Sequence, residues 1–114
     1  MNNALPISMK DLANTPTVIE SGSNANGRYR KWSDGLIEQW GFGTCGNTVT
    51  LPTKFSNTNY IVIVSPNDYG RGMSFGSKNK TVSAFTPTSG WTCEGSSPED
   101  NSSKTSVSWF AKSL

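Results

Sequence analysis

Recurring turn residues, and the absence of any run with a helical period, constrain what this chain can fold into. The pair Asp34-Gly35 follows Ser33 between Arg28–Trp32 and Leu36–Phe42, and a short Asp-Gly loop between two such runs reads as a hairpin closure. In the second run Leu36, Glu38, Trp40 and Phe42 share one side, while Ile37, Gln39 and Gly41 take the other. Thr48–Leu51 alternates and stops at Pro52, a residue that cannot continue a ladder. Tyr60–Val64 is apolar without a break, which predicts a central strand covered on both faces. A Gly-rich turn, Asn67 to Gly72, leads into Met73–Phe75, and Lys80–Thr86 alternates weakly. Thr105–Lys112 sets Val107, Trp109 and Ala111 against Ser106, Ser108 and Phe110. These segments predict an all-β fold, an antiparallel β-sandwich of about six to seven strands.

Composition supports that reading. Alanine and leucine are scarce, and the apolar third of the chain lies largely in Val, Ile, Phe, Tyr and Trp, types that suit a half-buried pleated surface. At 114 residues the chain is read as one domain. Residues 1–27, with two prolines and no sustained apolar period, are expected to be an extended N-terminal arm, and residues 28–114 the sandwich. Pro87–Lys104 is polar apart from Trp91, and a loop of that length inside a small domain is commonly functional or disordered. A net charge of +2 with 16% charged residues supplies no field for nucleic acid. The cluster Arg28, Arg30, Lys31 is followed by Asp34 and Glu38 and reads as a salt-bridged strand face. No apolar run is long enough to cross a membrane, so no membrane insertion is expected. Histidine is absent, which removes the most common general base and metal ligand, and no cofactor or metal is expected.

The segments GRYRKWSDGLIEQWG, TVTLP, YIVIVSP and SVSWFAK closely resemble the C-terminal domain of tailed-phage and prophage tail-fibre proteins. In that family a stretch of the form K-W-x-D-G-x-I-x-Q-W-G opens the domain, and a Leu-Pro strand end, an apolar strand and a closing W-x-A follow. Here these fall at Lys31–Gly41, Thr48–Pro52, Tyr60–Pro66 and Trp109–Ala111, and the resemblance spans about residues 20–114. It implies a homotrimer at the distal end of a fibre, part of a virion, that adsorbs to a bacterial surface through lipopolysaccharide or another glycan, or through an outer-membrane protein. A role as a structural trimerisation cap is a third expectation. The strand order is also similar to that of H-type lectins, although a shared fold does not fix function. The histidines with which some fibre tips chelate iron are missing. For a protein assembled in a bacterial cytoplasm, Cys45 and Cys93 are expected as reduced thiols, with a disulfide possible only if their loops meet.

Enzymatic activity is not expected. Glycoside hydrolysis needs two carboxylates at a fixed separation, and the candidates are Asp34, Glu38, Asp68, Glu94, Glu99 and Asp100. Asp34 is explained by its turn, and Glu99 and Asp100 lie in the long polar segment. Sugar binding asks for an aromatic face and polar groups around it. Tyr69 and Trp91 are the aromatics placed in apparent loops, where binding groups are commonly carried. With them, Asn67, Asp68, Arg71 and Glu94 make the expected receptor site, Arg71 being able to hold a phosphate or acidic sugar in a fork. Trp32, Trp40, Phe42 and Trp109 are expected to pack in the core or between subunits.

Overall fold

The computed structural model describes residues 15–67, 74–90 and 105–114. Eight strands are present among them: β1 (Val18–Asn24), β2 (Gly27–Trp32), β3 (Ile37–Thr44), β4 (Val49–Thr50), β5 (Ile61–Pro66), β6 (Ser74–Lys78), β7 (Ala84–Gly90) and β8 (Ser106–Lys112). They form two antiparallel sheets, one of order β1-β2-β3-β8-β5 and one of order β4-β7-β6.

The Asp34 turn joins β2 to β3. The Asp34 side chain accepts the Leu36 N–H at 3.0 Å, and the Gly35 N–H donates to the Trp32 carbonyl at 3.0 Å. Register then follows the alternation of the sequence. Gln39 stands opposite Ala111, Gly41 opposite Trp109 and Gly43 opposite Val107, and all six point at the smaller sheet. There Val49, Leu51, Phe55, Tyr60, Phe85, Trp109 and Ala111 make the core, with Ile37, Val62 and Val64 packed on it. Phe85 meets the edge of Trp109 at 5.3 Å and Phe55 stacks on Tyr60 at 4.2 Å. Such aromatic pairs contribute about 0.5–1.5 kcal/mol beyond their buried area.

Two glycines make room for that packing. A Cβ on Gly43 would lie 2.8 Å from Val49 Cγ2, and one on Gly41 would lie 3.0 Å from the Trp109 indole. Between the sheets Gln39 is fully buried and its amide is satisfied at both ends. Its Nε2 donates to the Thr53 carbonyl at 2.9 Å, and its Oε1 accepts the Thr53 N–H at 3.0 Å. A buried amide paired in this way costs little, whereas one left open would cost about 1–3 kcal/mol. The Tyr60 hydroxyl donates between the carbonyls of Thr81 and Ala84, at 2.7 and 3.0 Å. Burial pushes its pKa above the usual tyrosine value.

Three expectations change. Val18–Asn24 lies within the stretch read as an arm, and it is a strand that pairs along β2. The run at Tyr60–Val64 is not a covered central strand: β5 ends the five-stranded sheet, and Ile61 and Ile63 remain 41% and 60% exposed. An unbroken apolar run reports what the residues are, not which faces are covered. The strand expected at Lys80–Thr86 is β7, displaced to Ala84–Gly90, so Pro87 and Ser89 are buried strand residues and not the start of a loop. Pro87 is tolerated because its carbonyl side faces Gly46, whose N–H it accepts at 2.9 Å, beyond the end of the two-residue β4. Trp109 alone of the four strand aromatics lies in the core; Trp32 and Trp40 are half-buried and Phe42 is 76% exposed.

Candidate recognition face

The side of the five-stranded sheet that faces away from the core has its own order. Ladder partners place Ser23, Arg28, Trp40, Phe110 and Ile63 in one row across all five strands. Ser21, Arg30, Glu38, Lys112 and Ile61 make the next row. Phe42, Ser108 and Ser65 follow on the far side. One face therefore divides in two. Toward β5 it carries an apolar patch of Ile61, Ile63 and a half-buried Phe110, flanked by Lys112, Ser65 and Ser108; toward β1 it is basic and hydroxyl-rich, with Ser21, Ser23, Arg28 and Arg30.

The indoles at the junction are held in place. The Arg30 guanidinium lies 5.1 Å from the Trp40 ring and 5.7 Å from the Trp32 ring. Glu38 accepts the Trp32 indole N–H at 2.6 Å and sits 3.5 Å from Arg30 Nε. Cation–π contacts of this sort contribute about 0.5–1 kcal/mol at exposed sites. Here their main effect is to fix the orientation of Trp40. Arg28, on the same strand, has no carboxylate partner among the described residues.

A groove runs over this half. One hollow of about 510 Å³ is bordered by Ser21, Ser23, Arg28, Arg30 and Trp40. It shares Ser23, Arg28 and Trp40 with a second hollow of about 540 Å³, which reaches Asn26 and Phe42. Past Phe42 a third, of about 280 Å³, is bordered by Asn26, Asn47, Thr48 and Thr50. Among the described residues no carboxylate borders any of the three. On the opposite side of the β1–β2 hairpin, Tyr29 donates to Glu20 at 2.8 Å, and Lys31 lies 3.4 Å from the same carboxylate. The Tyr29 hydrogen bond, then the Lys31 charge, hold the Glu20 carboxyl below its usual range.

Of the residues expected to bind a receptor, only Asn67 falls in the described part of the chain. Asp68, Tyr69, Arg71, Trp91 and Glu94 lie outside it, as do Cys93, Glu99 and Asp100. The Asn67 amide is already engaged, donating to Ser106 Oγ at 2.9 Å and accepting from Ser108. Trp40 and Phe42, which the strand pattern assigns to packing, face outward, and the signal for that placement lies beside them. Gln39, Gly41 and Gly43 leave no space on the core side for anything large, so the bulky residues between them must turn the other way.

A family model described as "tail fiber protein gp53-like, C-terminal" matches residues 31–112, well over half of the chain. The protein belongs to the gp53-like tail-fibre family. The match begins at Lys31 and ends at Lys112, and so takes in the hairpin turn, the Gln39–Gly43 segment and all of β8. No curated protein and no solved structure gives a significant match. Membership makes this gp53-like domain a structural part of a phage tail fibre.

Proposed function

We propose that this gp53-like domain is the distal, receptor-binding tip of the fibre, a homotrimer that adsorbs the virion to a bacterial surface glycan such as lipopolysaccharide. The observation that carries the reading is the division of the outward face. The apolar patch toward β5 is suited to burial between copies, because Ile61 and Ile63 open to water beside a half-buried Phe110 are costly to leave uncovered. The basic, aromatic half of the face is suited to a ligand. We favour binding over cleavage: Asp34 is occupied in its turn, and Glu38 is committed to Trp32 and Arg30.

Two measurements test the reading. Sedimentation of the purified chain at micromolar concentration is expected to give about three times the 12.3 kDa chain mass. A species that stays at the chain mass would sink the trimer. Saturating a sensitive culture with the chain before adding phage is expected to lower adsorption, and undiminished adsorption would refute the receptor role. If adsorption falls but no lipopolysaccharide binds, an outer-membrane protein becomes the receptor.

A further inference from the structure

We infer that the groove over the β1–β2 hairpin binds an anionic oligosaccharide, its charged sugar between Arg28 and Trp40 and a neutral sugar beyond Phe42. This rests on the reading of the domain as a glycan-binding tip, and it moves the site from Asn67–Gly72 and Pro87–Lys104 to a surface built on β1–β3 and the turns that join them to each other and to β4.

Charge is the first argument. Among the described residues Arg28 has no carboxylate partner and no acidic side chain borders the groove, while Arg30 beside it is offset by Glu38. A site with that balance repels no anion and offers a planar, forked donor to a carboxylate or phosphate. Shape is the second. Trp40 is steadied by Arg30, and Phe42 stands almost free of the surface at 76% exposure. Phe42 belongs to two adjoining hollows and so forms a ridge between them. A ring of that kind packs against the C–H face of a sugar, leaving the hydroxyls to reach polar groups on either side.

Those polar groups differ along the groove. Toward β1 are Ser21, Ser23 and the guanidinium of Arg28; past Phe42 are Asn26, Asn47, Thr48 and Thr50, all uncharged. The far group is positioned by backbone bonds: Asn47 N–H donates to the Thr44 carbonyl at 3.0 Å, and the preceding Gly46 N–H is fixed to Pro87. The groove is therefore charged at one end and amide- and hydroxyl-lined at the other, which gives a bound chain a direction. The charged end, with Arg28, Trp40 and Phe42, sits on strands, so its geometry is held more firmly than a loop site would be. Asn26, Asn47 and Thr48 come from the two adjoining turns.

The test titrates the intact chain with core oligosaccharide from the lipopolysaccharide of a susceptible host, used untreated, dephosphorylated or carboxyl-reduced. Wild-type chain is expected to bind the untreated sugar, and Arg28→Gln to weaken that binding tenfold or more. Phe42→Ser should weaken it by a similar factor, and both residues are exposed enough that the fold should survive, as circular dichroism would verify. Loss on dephosphorylation identifies a phosphorylated sugar, and loss on carboxyl reduction an acidic one; both support the inference. Undiminished binding after both treatments would overturn its anionic part. Wild-type binding that neither substitution alters would place the glycan elsewhere and overturn the inference, while leaving the tip reading intact. A wild-type chain that binds neither the sugars nor host cells would overturn the tip reading itself.

Discussion

Strands β3 and β8 carry one chemistry on each side. Toward the core stand Gln39, Gly41, Gly43, Val107, Trp109 and Ala111; outward stand Glu38, Trp40, Phe42, Ser108 and Phe110. Trp109 stands on one side and Trp40, Phe42 and Phe110 on the other, so the presence of a large aromatic does not distinguish them. The difference is closeness of approach. Inward, missing Cβ atoms bring Val49 and the Trp109 indole onto the backbone, and the amide of Gln39 is closed by Thr53. Outward, the rings are spaced by charges and left open to water. The first arrangement specifies a fold, and the second leaves a surface that can meet something else.

Substitutions on the two sides should therefore act on different observables. The largest effect is expected inward, from Trp109→Ala. Removing a fully packed indole should lower unfolding free energy by about 3–5 kcal/mol in urea titration. A loss below about 1 kcal/mol would mean that the inner face is not the core. Next, Gln39→Leu leaves the Thr53 N–H and carbonyl without their partner and should cost about 1–3 kcal/mol, measured in the same way. Outward, Ile63→Asp should leave the stability of the isolated chain within about 0.5 kcal/mol yet lower its mass in sedimentation. A large drop in stability with unchanged mass would erase the distinction between the faces.

The smallest effect is at Glu20, an exposed residue. Its pKa in the folded chain is lowered from 4.5, chiefly by the Tyr29 hydrogen bond and then by Lys31. A depressed carboxylate contributes stability that is present above its unfolded pKa and lost as pH falls through the folded value. The contribution should thus fade on acidification below about pH 4.5. Thermal melts from about pH 5 downward should show a slightly shallower acid loss in Glu20→Gln than in wild type. An identical slope in both would mean that the contact is not kept in solution.

Much of the fold is legible in the sequence because alternation reports orientation. The Asp34 turn, the two sides of β3 and the three inward residues of β8 all follow from the order of residues alone. Two things do not, for physical reasons. The run at Tyr60–Val64 is rich in β-branched residues, which suit a strand whether or not it is covered, so an edge strand with exposed Ile61 and Ile63 looks central. The groove escapes a reading by sequence because its aromatics lie in strands, whereas loops are where recognition is expected. A groove made by Arg28, Trp40 and Phe42 together with Asn47 depends on pairing across strands and on the turn after β3. No local sequence pattern encodes that combination.

Strand order has a consequence in time. β8 comes after the other seven described strands in chain order, yet it lies inside its sheet, between β3 and β5. Ribosomes add roughly 5–20 residues per second. The backbone of β3 from Glu38 to Thr44 is therefore made some seconds before the segment it pairs with, Ser106–Lys112. Through that interval the edge is open and Trp40 and Phe42 are already displayed, the conditions under which nascent chains associate wrongly. Synthesis of this domain must keep a half-built sheet soluble until the strand that joins β3 to β5 arrives.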